Sequence, residues 1–115
     1  MKTSILVEKL GANVVCGKEH LETKEIEYAF ASDLMSDVLT INAKNILLIT
    51  GMANIQTIRT AEMADIHTIV LVRNKKATPE MIELAMQNDM IIAESSNSMF
   101  KTSGIFYNMG LKPVY

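Results

Sequence analysis

Cys16, His20 and His67 are the only thiol and imidazole side chains in the chain, and Cys16 and His20 stand four residues apart with Glu19 and Glu22 close by. A structural zinc site closes four ligands around the ion, usually with thiolates in pairs, and a single cysteine does not meet that demand. The same pair is the sole candidate for a nucleophile and its base, but no glycine-rich elbow surrounds it, so an inert, buried thiol is expected. His67 opens an apolar run, where a histidine serves as a polar edge residue. Asp33 and Asp37 would lie one helical turn apart and could hold a hard cation such as magnesium, although such sites usually recruit substrate phosphates as well. The simpler reading puts Asp33 at the positive end of a brief helix. Residues 11–18, Gly-Ala-Asn-Val-Val-Cys-Gly-Lys, imitate a phosphate-binding P-loop. Five residues separate the glycines instead of four, Glu19 stands where a magnesium-binding hydroxyl should, and a helix precedes the loop instead of a strand. No Gly-x-Gly-x-x-Gly occurs. The expectation is therefore a protein with no catalytic residue, no metal ligand and no cofactor.

The elements that would position any site are clearest in the second half. Residues 46–50, 68–72 and 90–93 are short apolar runs closed by polar turns, the pattern of strands buried on both faces. Between them Ile55, Ile58 and Ala61 share one helical face, as do Met81, Ile82 and Ala85. Thr78-Pro79-Glu80 is a helix start, with a hydroxyl cap, proline in the first turn and an acid near the positive dipole end. A last helix is expected over 98–109, stopping at Gly110. The first forty residues suggest a helix over 3–10, strands over 13–16 and 26–31, and a short helix over 34–39 opened by Ser32 and Asp33. The strand over 13–16 could join either edge of the sheet. This alternation predicts one α/β domain over residues 1–115. Its architecture would be three-layer, a mainly parallel sheet of about 4–5 strands with helices on both faces.

Composition narrows the partners. Eleven basic residues face 13 acidic ones, net −2, and no basic block exceeds Lys75-Lys76, so no nucleic acid is expected. A hydrophobic fraction of 49% with 21% charged residues argues against disorder. No apolar run approaches ~20 residues and the N-terminus is too short and charged for a signal peptide, which points to a cytoplasmic protein without a membrane partner. Nine methionines and no tryptophan read as flexible core filler; the alternative is an adaptable contact surface made by Met35, Met52, Met63 and Met99.

In an open parallel sheet, ligands settle where strands end and loops enter the next helices. Those loops supply the candidate ligand-binding set: Thr50, Gly51 and Asn54; Arg73 and Asn74; Ser95, Ser96 and Asn97. Helix-start amides and a guanidinium would favour an anion. The competing reading is plain capping, for which any such sheet needs polar turns.

Residues 49–56 (Ile-Thr-Gly-Met-Ala-Asn-Ile-Gln), 69–72, 78–80, 82–85, 90–92 and 98–103 resemble the DRTGG domain. Residues 31–38 resemble the opening of stand-alone DRTGG proteins of anaerobic bacteria, and the likeness spans residues 2–111. The resemblance implies a fold similar to the N-terminal domain of HPr kinase/phosphorylase, without the kinase. It also implies a regulatory or dimerising module of the kind found beside CBS domains and ahead of some phosphotransacetylases. By position, Gly51 matches the glycine opening the family's Gly-Asp-Arg-Thr turn, while Met52, Ala53 and Asn54 replace the rest in a turn one residue shorter. Arg73-Asn74 replaces the second glycine pair, and the segment 98–102 keeps family character. The leading expectation is a non-enzymatic module that forms a homodimer and binds a small anion such as an adenine nucleotide. The alternative is a protein-interaction subunit with no small ligand, using Phe100, Phe106, Tyr107 and residues 111–115 as its surface. A third reading, a small enzyme, would have Asp33 and Asp37 hold magnesium against a bound phosphate.

Overall fold

A computed structural model describes residues 1–115. Strands β3 (Ile46–Thr50), β4 (Thr68–Leu71) and β5 (Ile91–Glu94) are buried at every position. They carry continuous apolar runs because both sheet faces are covered, leaving no solvent side to demand polar alternation. Each is parallel to its neighbour, and β2 (Tyr28–Ala31) extends the parallel sheet with Ala31 opposite Ile49. The remaining helices are α1 (Thr3–Leu10), α2 (Met35–Val38), α3 (Ile55–Met63), α4 (Pro79–Gln87) and α5 (Met99–Met109).

The edges were the open question. β1 (Asn13–Cys16) runs antiparallel to β5, with a bulge between Val14 and Cys16. The opposite edge is closed by β6 (Lys112–Pro113), which pairs with Tyr28 and Ala29 and gives the order β1-β5-β4-β3-β2-β6. This sixth strand exceeds the expected count, since two residues are too few to leave a period in the sequence. Its proline is tolerated because an edge strand needs hydrogen bonds on one side only.

Alternation along the strands divides the core. Ile46, Leu48, Ile69, Leu71 and Ile92 face α2, α3 and α4, meeting Val38, Ile58, Ala61, Met81 and Ala85. Leu47, Ile49, Val70, Val72 and Ala93 face α1 and α5, meeting Leu6, Val7, Leu10 and Phe106. Each fully buried Leu or Ile contributes about 1.5–3 kcal/mol of transfer free energy, so both layers are held by apolar burial. Caps set the helix starts: Thr78 Oγ1 accepts from Met81 N at 3.2 Å, and Ser98 Oγ accepts from Lys101 N at 3.0 Å. No helix is long and apolar enough to cross a membrane.

Three sequence expectations need correction. Helix α2 begins at Met35 with Leu34 at its N-cap, so Asp33 does not cap it and does not share a helical face with Asp37. Phe106, read as surface, is fully buried. Of the methionines proposed as a contact surface, Met63 is exposed, whereas Met35 and Met99 pack against the core and Met52 is only partly exposed.

Cys16 is buried, and burial pushes its thiol pKa up from the ordinary 9.0; Glu19 adds to the rise and a backbone hydrogen bond at Ile92 offsets part of it. The thiolate is the reactive form, so less of it is present at any pH below the shifted pKa. Iodoacetamide is accordingly expected to modify Cys16 slowly in the native protein and rapidly in urea. Equal rates at pH 8, followed by mass spectrometry, would contradict this burial.

Candidate functional site

The chain leaves the sheet at Thr50, Leu71 and Glu94, and hydrogen bonds join the three exits. Val72 N donates to Thr50 O at 3.0 Å and Ser95 N to Leu71 O at 2.8 Å. Beyond the strands, Arg73 N donates to Asn97 O at 2.8 Å and Asn74 N to Ser95 O at 3.0 Å. Gly51, Arg73 and the 95–97 turn therefore occupy one rim.

Arg73 and Asn74 both adopt left-handed backbone conformations, with φ of 58° and 60°. Asparagine tolerates this region, but arginine enters it at a cost of roughly 1 kcal/mol or more. The guanidinium lies over Gly51, where any added Cβ would collide with Arg73 Nη2. Glycine at 51 lets the guanidinium approach this closely; a Cβ there would push the flexible Arg73 side chain aside and would not disturb the backbone. The side chain of Arg73 remains 52% exposed, leaving part of its charge available to solvent.

Asp33 completes the arrangement, and sequence reasoning gave it a different place. Its Oδ1 accepts from Gly51 N at 2.7 Å and from Thr50 Oγ1 at 3.0 Å, while Oδ2 lies 3.5 Å from Arg73 Nη2. Register explains the meeting. With Ala31 opposite Ile49 in parallel strands, the residue two positions on comes alongside Gly51. Glu94 was missed as well. Almost wholly buried at the end of β5, it accepts from Ala77 N at 2.8 Å and lies 3.6 Å from Lys76 Nζ, which anchors the far end of the loop carrying Arg73. A charged residue closing an apolar strand was the available signal.

Other members of the candidate set are occupied structurally. Asn54 caps α3, its Oδ1 accepting from Thr57 N at 3.1 Å. Ser95 is buried and its Oγ accepts from Asn97 N at 3.1 Å. Thr50 Oγ1 accepts from Met52 N at 3.1 Å while donating to Asp33. Asn74 and Ser96 are exposed, and Asn97 partly so. The rim thus offers a guanidinium and exposed amide and hydroxyl groups, suited to holding an anion.

The remaining candidates separate. Cys16 Sγ lies 3.9 Å from Met90 O, whereas His20 Nε2 lies 3.6 Å from Asp89 Oδ1, so each faces a different partner. His67 Nε2 lies 2.9 Å from Asp65 Oδ1, and no group of three or more His, Cys, Asp or Glu side chains is placed to hold a metal ion. A cleft of about 160 Å³ opens at the other end of the strands between Lys24, Lys44, His67 and Thr68. Another, of about 120 Å³, lies beside β6 between Ala31, Ile49, Tyr107 and Leu111.

This architecture is found elsewhere. The crystal structure of the CBS and DRTGG domains of the regulatory region of Clostridium perfringens pyrophosphatase, complexed with its activator diadenosine tetraphosphate, superposes with a TM-score of 0.68. Identity is 12%, and the alignment covers 87% of this chain and 43% of that one, so the likeness is one of fold. No curated protein matches the chain. The model of the DRTGG domain, however, matches residues 5–109, from within α1 to the end of α5 and across the rim just described. The chain belongs to the DRTGG domain family.

Proposed function

We propose that this domain is a non-catalytic regulatory module of the cytoplasm that works as a homodimer and binds a small anion, such as an adenine nucleotide, at the strand-exit rim. The observation that carries this reading is the half-exposed Arg73 guanidinium, laid over Gly51 by a strained backbone and bordered by the 95–97 turn. Its support from kinship is the Clostridium perfringens regulatory region, whose activator is diadenosine tetraphosphate. The rim's buried hydroxyls serve the fold: Thr50 Oγ1 donates to Asp33 and Ser95 Oγ accepts from Asn97 N.

A thermal-shift screen of adenine and guanine mono-, di- and dinucleotides, run beside light scattering, tests ligand and oligomer together. A ligand at a hundredfold excess over its Kd stabilises by about 2.7 kcal/mol, a readily visible shift. Arg73→Ala is expected to abolish that shift with little change in the unliganded Tm, because a solvent-exposed ion pair contributes about 1 kcal/mol or less. No shift with any nucleotide would refute the ligand half of the reading. A second reading, an interaction subunit without a small ligand, is favoured by Phe100 and Tyr107, 89% and 68% exposed on α5. It predicts association in light scattering with no nucleotide response.

A further inference from the structure

We propose that Asp33 is a built-in occupant of the rim's anion site, and that a phosphate group binds there by displacing it; this rests on the anion-binding reading above. Three donors that a phosphate would use are engaged by this one carboxylate. Gly51 N–H and Thr50 O–H reach Oδ1 at 2.7 and 3.0 Å, and the Arg73 guanidinium lies 3.5 Å from Oδ2. A backbone amide, a hydroxyl and a guanidinium converging on two oxygens form an oxyanion receptor, whichever oxyanion fills it.

The occupant is built to leave. The Asp33 side chain is 41% exposed, so water can solvate it as it withdraws. It follows the last ladder bond of its strand, Ser32 N to Ile49 O at 3.0 Å. It precedes α2, a four-residue helix whose one buried residue is Val38. Short elements with few buried contacts open at low free-energy cost. The segment also carries Leu34 and Leu39, 57% and 49% exposed, so release of Asp33 would move an apolar surface. That gives binding a mechanical output.

The arrangement also selects the ligand. A monoanion exchanged for Asp33 gains nothing in charge, whereas a phosphomonoester dianion or a diphosphate brings more charge to Arg73 and more oxygens to the amide and hydroxyl. In the native protein the observed affinity is the intrinsic affinity reduced by the fraction of molecules in which Asp33 has withdrawn.

Isothermal titration with inorganic diphosphate and with ADP, at fixed salt, tests this on the native protein, Asp33→Ala and Asp33→Asn. Asp33→Ala is expected to bind about tenfold tighter or better, the scale of a charged hydrogen-bonded contact no longer competing. Asp33→Asn should fall between the two, because it keeps an acceptor for Gly51 but lacks the charge; it carries the test alone if the alanine variant does not fold. Adding Arg73→Ala to either variant should remove the gain, and the Gly51 amide resonance should move when diphosphate binds. Equal or weaker binding by the folded Asp33 variants overturns the displacement while leaving anion binding standing. Failure of all three proteins to bind either anion overturns both.

Discussion

Gly17→Ala is expected to lower stability by about 2–5 kcal/mol, combining roughly 1–3 for a left-handed alanine with a similar overpacking cost. Gly17 has φ of +81° and follows directly on β1, where the antiparallel pairing presses the chain onto the start of β5. An added Cβ would collide with the Met90 carbonyl oxygen and come within 2.8 Å of Ile91 Cα. Both are backbone atoms at the head of a buried strand, so neither can turn aside as a side chain would. Gly11 supplies the control. It has φ of +70° but nothing within 4 Å of an added Cβ, so Gly11→Ala should cost about 1 kcal/mol, from dihedral strain alone. Urea denaturation of the two variants separates crowding from strain, and similar midpoints would mean that the β1 edge adjusts freely.

Phe106→Ala is expected to cost about 3–5 kcal/mol, the usual range for emptying a buried aromatic site. Phe106 is fully buried and heads the largest enclosed side chains in the molecule. It shares a cluster with Leu6, Leu47, Ile49 and Leu111, fastening α5 to the sheet and to α1. Phe100, on the same helix, is 89% exposed, and its replacement by alanine should stay within about 0.5 kcal/mol. A domain of this size is stable by roughly 5–15 kcal/mol, so Phe106→Ala removes a large share and should shift Tm by more than 10 °C. Comparable losses for the two phenylalanines would mean that α5 is held by another contact.

These two positions show where local pattern stops being informative. Gly17 sits in a near-miss of a phosphate loop, and nothing nearby in the chain announces that its real constraint is contact with Met90 and Ile91, more than seventy residues later. Phe106 and Phe100 are both aromatic residues of one helix, yet they face opposite environments. The helix carries enough apolar residues around its circumference, among them Met99, Ile105, Tyr107 and Met109, that its buried stripe is blurred.

What the sequence determined alone was whatever depends on near neighbours: the three buried strands, the cap at Thr78, the end of α5 at Gly110, and the family. Periodicity and capping are interactions within a few residues, so they are written consecutively. Tertiary structure alone decided which edge β1 joins, that Lys112–Pro113 forms a sixth strand, and that Asp33 belongs to Gly51 and Arg73 in place of α2. Those outcomes depend on strand register, which brings together residues 18 and 40 positions apart and is fixed only when both sheet faces are packed.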